Sequence, residues 1–148
     1  ITFKSQLEKS IYNTLLQQGF EPQYEPTTFT LWEGFEPITP YYDKETDKQK
    51  TKRLSDETNT CPSKILIQKT GKIVGIRYTP DFYFKCDDLN VYIEAKGIEN
   101  DVFYIKKKMF IKYLDNLYIE KGEKSIYFEI YTKKQLLQAI EIIKSYEQ

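Results

Sequence analysis

Apolar residues recur every four positions at the start of the chain. Phe3, Leu7, Ile11 and Leu15 form a stripe that Tyr12 and Leu16 widen. This spacing predicts an amphipathic helix over 3–18, stopped at Gly19. Residues 20–31 then read as a short strand, a turn near Pro26 and a second strand through Phe29 and Leu31. Between 33 and 63 the periodicity breaks. Gly34, Pro37, Pro40 and Pro62 surround the polar run DKETDKQKTKRLSDETNT, which reads as a long solvated loop or insertion. Its middle is basic at Lys48, Lys50, Lys52 and Arg53, so a DNA-contacting or subunit-bridging arm is the alternative.

Extended patterning resumes at 64–68 and 72–79, which flank Thr70–Gly71 and read as a β-hairpin. Pro80 breaks that run, 82–85 is extended, and 87–90 is a polar turn. From Val91 to Lys96 the chain alternates, with Val91, Ile93 and Ala95 on one face and Tyr92, Glu94 and Lys96 on the other. Gly97 is expected to end the strand. A second helix is predicted over 102–118, with a seam of Ile105, Met109, Tyr113 and Leu117 broadened by Phe110 and Leu114. Residues 125–131 form another strand. Thr132 is a candidate N-cap for a last helix over 133–146 that buries Leu136, Ile140 and Ile143. The order predicts an α/β fold, a mixed β-sheet flanked by helices, in a single domain over 1–148 with the insertion at 33–63.

Composition narrows the chemistry. The chain has 148 residues, a formal net charge of zero and no histidine. Serine–histidine and cysteine–histidine catalysis are therefore excluded within one chain, as is histidine-ligated zinc. Cys61 and Cys86 have no metal-binding spacing and read as free thiols of an intracellular protein. The chain has no signal-like leader and no apolar run of membrane-spanning length, which predicts a cytoplasmic protein. Any metal would be held by carboxylates and carbonyls, which favours Mg²⁺, with Mn²⁺ as a substitute.

The stretch YTPDFYFKCDDLNVYIEAKG, 78–97, carries the candidate site. Glu94 and Lys96 share a face of a strand whose other face is apolar. Asp81 opens the preceding extended segment, and a return at 87–90 brings it alongside Glu94. Two adjacent carboxylates invite a divalent cation, and the Ala95 carbonyl is a further ligand of the right hardness. Lys96 would accept a proton from an attacking water, or orient that water and stabilise developing charge. Glu8, on the first helix, has two readings. It completes the carboxylate cluster, or it closes a capping box with Ser5.

Pro80–Asp81 and Glu94–Ala95–Lys96 resemble the two halves of the PD-(D/E)xK nuclease signature. Phe3–Glu25, Tyr78–Phe82 and Tyr92–Gly97 resemble the opening helix and active-site strands of the phage endonuclease I family of Holliday junction resolvases. Lys96–Leu114 is similar to a segment of small phage nuclease-like proteins, and transposase-associated endonucleases are a more distant comparison. The resemblance implies a restriction-endonuclease-like fold and Mg²⁺-dependent endodeoxyribonuclease activity, with Glu8, Asp81, Glu94 and Lys96 as the site. It also implies a homodimer acting on branched DNA, in the host cytoplasm for a phage-encoded chain. Lys106, Lys107, Lys108 and Lys112, on the helix that follows, are the expected phosphate contacts. The alternatives are a general duplex endonuclease and a non-catalytic DNA-binding or structural phage protein.

Overall fold

The computed structural model describes residues 1–96 and 100–146. In chain order the elements are α1 (Gln6–Gln17), β1 (Gln23–Tyr24), β2 (Phe29–Trp32), β3 (Tyr42–Lys44), α2 (Asp47–Ser55) and β4 (Leu66–Gln68). After these come β5 (Ile76–Tyr78), β6 (Phe82–Cys86), β7 (Leu89–Ala95), α3 (Asp101–Lys121), β8 (Lys124–Ile130) and α4 (Lys133–Ser145). Gly97 lies outside the described residues. The result is a mixed α/β fold of four helices, a four-stranded mixed sheet and two two-stranded ribbons. The chain divides into two compact units, Ile1–Trp32 with Ile76–Gln148, and Glu33–Gly75.

The first unit is organised by β7. It pairs antiparallel with β6, Phe82 opposite Ile93, and parallel with β8, Glu94 opposite Glu129. β1 pairs antiparallel with the other edge of β6. Alternation along the strands then assigns side chains to two cores. Phe82, Phe84, Val91 and Ile93 join Ile11 and Leu15 of α1 and Leu136, Ile140 and Ile143 of α4. Tyr92 joins Tyr78, Phe103, Phe110 and Leu114 on the opposite face, under α3. With both faces covered, even the polar residues of β7 are removed from water.

Three expectations change. The residues 64–68 and 72–79 are not a hairpin: β4 pairs with β3, and β5 pairs with β2. Gly71 does turn the chain, at φ 95°, but Ile73 then bridges to Phe35. The seam of α3 is rotated. Phe103, Phe110 and Leu114 are buried while Ile105 is 56% exposed. The aromatic ring of Phe110, packed among Phe29, Tyr78, Tyr92 and Tyr127, sets that rotation.

The segment 33–63 is not a structureless loop either. It holds β3 and α2, the helix starting from a complete Thr46–Gln49 capping box. Within Glu33–Gly75 the buried residues are Glu45 and Arg53, with no apolar side chain among them. Arg53 Nε donates to both Glu45 oxygens, at 3.1 and 3.0 Å, and Nη2 also donates to Glu45. Its remaining donors reach the carbonyls of Asn59 (2.8 Å), Cys61 (3.0 Å) and Ser63 (3.1 Å). One guanidinium thus gathers the backbone of 59–63 where an apolar core would ordinarily do so. Cys61 and Cys86 are both half-buried, and Cys61 is a free thiol. Among the described residues no helix is long and apolar enough to cross a membrane.

Candidate active site

The buried Pro80 ends the β5 segment and sets Asp81 at the mouth of β6. The antiparallel register carries the chain past Phe82 opposite Ile93, so Asp81 meets the end of β7. Its Oδ2 accepts a hydrogen bond from the Ala95 N–H at 2.7 Å. Its carbonyl accepts from the Glu25 N–H at 2.8 Å, tying it to the residue that follows β1. Burial pushes the Asp81 carboxyl up to about 8, and the neighbouring Glu94 charge adds to the rise.

Glu94 is 6% exposed. The Tyr78 hydroxyl donates to its Oε1, and Oε2 lies 3.8 Å from the Lys96 ammonium. Burial raises its proton affinity; the hydrogen bonds and the Lys96 charge pull the other way. Tyr78 in turn sits 3.3 Å from the Tyr127 hydroxyl. Lys96 Nζ lies 3.8 Å from the centre of the Phe103 ring, so a carboxylate and an aromatic face aim this ammonium together. Ala95 is half-buried and enters the site through its backbone N–H.

Glu8 resolves into two separate functions of one residue. Its backbone N–H donates to the Ser5 side chain at 3.1 Å and caps α1. Its side chain does not close a capping box; it is 4% exposed and accepts from the Tyr24 hydroxyl at 3.0 Å. There it joins Glu25 and Asp81, with one oxygen of each lying within 4.8 Å of the others. The three-acid cluster is therefore Glu8, Glu25 and Asp81, with Glu94 adjoining it close enough to alter Asp81's proton affinity. Glu25 has a left-handed φ of 45° and pairs with Lys4 Nζ at 2.8 Å.

Sequence reasoning missed Glu25, Tyr24 and Tyr78. Glu25 and Tyr24 reach the site because β1 lies on the edge of β6, with Tyr24 opposite Phe82, a long-range register with no local signal. Tyr78 belongs to the YTPDF stretch, but only its burial against Glu94 gives it meaning.

The four lysines of α3 separate. Lys107 is held by Glu129 at 2.7 Å. Lys108 and Lys112 lie one turn apart on an exposed stripe. Lys106 lines a groove with Glu94 and Lys96. Comparison of the chain with protein-family models, with curated proteins and with solved structures returned no match.

Proposed function

We propose that this protein is a metal-dependent endodeoxyribonuclease with a restriction-endonuclease-like fold. One observation carries the reading. Asp81, Glu94 and Lys96 converge at one end of a single antiparallel strand pair, and two further carboxylates, Glu8 and Glu25, meet Asp81 there. Glu8 and Glu94 are buried and Asp81 half-buried, with Lys96 beside Glu94 while Lys4 pairs with the exposed Glu25. Such a cluster makes poor structural glue, because buried charge short of counter-charge destabilises a fold.

The donor set fits a hard divalent cation: oxygen ligands only, several of them anionic, and no histidine in the chain. Asp81, Glu94, Glu8 and the Ala95 carbonyl are the residues that would hold Mg²⁺ or Mn²⁺, with Glu25 as an additional ligand. When bound, the ion supplies Lewis-acid polarisation of a phosphodiester and lowers the pKa of a coordinated water. The protein's own groups do the rest. The Ala95 N–H fixes the orientation of Asp81, and Tyr78 fixes that of Glu94. Lys96 stabilises negative charge developing on the phosphate.

Branched DNA as preferred substrate and a homodimeric assembly rest on the resemblance of Phe3–Glu25, Tyr78–Phe82 and Tyr92–Gly97 to the junction resolvases. The test is cleavage of a four-way junction, a linear duplex and a single strand, each with Mg²⁺ or EDTA. Mg²⁺-dependent scission of any of the three supports the nuclease. Folded protein that cuts none of them would sink it. Equal rates on duplex and junction would remove the junction preference alone.

A further inference from the structure

A groove of about 340 Å³ opens onto Glu94 and Lys96, and its other walls are unlike those of the acid cluster. Arg77 of β5 and Lys106 of α3 line it, as do the hydroxyl-bearing Thr28 and Thr79. Those two threonines bond to each other at 2.6 Å across the connections entering β2 and leaving β5. Among the described residues Arg77 and Lys106 make no ion pair, whereas Lys107, next along α3, is committed to Glu129. Two uncommitted cations and one remaining hydroxyl donor thus border the candidate reaction centre on one side.

We infer that this groove holds the sugar–phosphate backbone of one nucleic-acid strand next to the reacting phosphodiester, with Arg77 and Lys106 as its phosphate contacts. Arg77 supplies a planar fork suited to two phosphate oxygens, and Lys106 a point charge. Of the two threonine hydroxyls, one donates to the other and the second is left to donate to a phosphate oxygen between the cations. The identity of the reacting phosphate rests on the nuclease reading; the binding does not. The strand is placed against Arg77 and Lys106, not along the Lys108–Lys112 stripe of α3. These contacts touch backbone only, so the groove selects for a polyanionic strand and is indifferent to base sequence.

The test is binding without catalysis. A fluorescent single-stranded oligonucleotide and its duplex are titrated with the full chain in EDTA across a salt series. Replicates use R77A, K106A and the K108A/K112A pair, each checked by circular dichroism. On the single strand, R77A and K106A should each reduce the slope of log affinity against log salt by about 0.7, the share of one phosphate contact. K108A/K112A should leave it unchanged. R77K, which keeps the charge and loses the fork, should retain the slope and weaken binding. An unchanged slope in both R77A and K106A overturns the groove, as does a loss confined to K108A/K112A. Cleavage is scored separately with Mg²⁺. Binding that depends on Arg77 without any cleavage overturns the nuclease and leaves the groove standing. Cleavage with an Arg77-independent slope does the reverse.

Discussion

The protein buries charge in two places and treats it in opposite ways. In Glu33–Gly75, Glu45 meets a guanidinium that also satisfies three backbone carbonyls. The hydrogen bond from Arg53 holds the Glu45 carboxyl below its ordinary value, and Glu45 holds Arg53 above its own. Both groups are driven further toward their charged forms. At the mouth of β6 and β7 the direction reverses. Asp81 and Glu94 are both pushed toward the neutral acid by burial, and Asp81 further by Glu94. The chain completes one buried charge from its own residues and leaves the other short of positive charge. The first arrangement is what a structural ion pair looks like; the second is what a binding site looks like.

The comparison breaks most visibly if the acids prove structural. Glu94→Gln and Lys96→Ala should each lower cleavage by about 10²–10⁴-fold. The melting temperature should hold or rise in Glu94→Gln, and fall modestly in Lys96→Ala as Glu94 loses its counter-charge. A clearly lower melting temperature in Glu94→Gln with cleavage retained below it would reverse the assignment. Arg53→Ala should have the opposite profile. With no apolar core to fall back on, Glu33–Gly75 should be cut by protease about tenfold faster or more, while amide exchange in β6 and β7 is unchanged.

A pH titration sharpens the contrast. The folded-state affinity of Asp81 for its proton lies above the unfolded value of 3.8, reaching about 8. Its stabilising contribution is therefore fully present below about pH 4 and is lost as pH rises through about 8. Metal-free protein should melt at progressively lower temperature across that window. Asp81→Asn should flatten the slope, and Mg²⁺ should raise the melting temperature most at the alkaline end. The smallest effect is expected from Glu8→Gln. The Ser5 cap uses the Glu8 backbone, so α1 should keep its stability. Mg²⁺ affinity, read by calorimetry, should weaken by about threefold to tenfold as one carboxylate charge is lost.

What could be read from the chain follows from how far apart the interacting residues are. The stripe of α1, the alternation of β7 and the cap of α4 are local patterns, and the structure has all three. Asp81 and Glu94 were legible because a short turn joins their strands. The β2–β5 ribbon encloses the whole of 33–75, so no turn announces it, and the real turn at Thr70–Gly71 suggested a false partner. α2 did leave a signal, Thr46 followed three residues later by Gln49. It was masked because the helix has no apolar face; its buried residue is Arg53. α3 misled for a different reason. Ile105, four residues before Met109, imitates the start of a buried stripe, whereas aromatic packing through Phe103 and Phe110 fixes the helix.

The tight connection between β6 and β7, turned at Asp87 with φ 54°, has a bearing on the order in which the site comes into being. Hairpins of this kind close in about 1–10 μs. Asp81, the Ala95 N–H and Glu94 therefore meet early, from residues at most fourteen apart. Glu8 and Glu25 arrive only when α1 and β1 dock across more than fifty residues of intervening chain, a slower event governed by loop closure. Until then the nascent protein carries only half of the acid cluster. On the nuclease reading, cation capture and any scission that depends on it would thereby be deferred to the last stage of folding. A truncated or partly unfolded chain would then not cleave nucleic acid, and cleavage itself would serve as a readout of complete assembly.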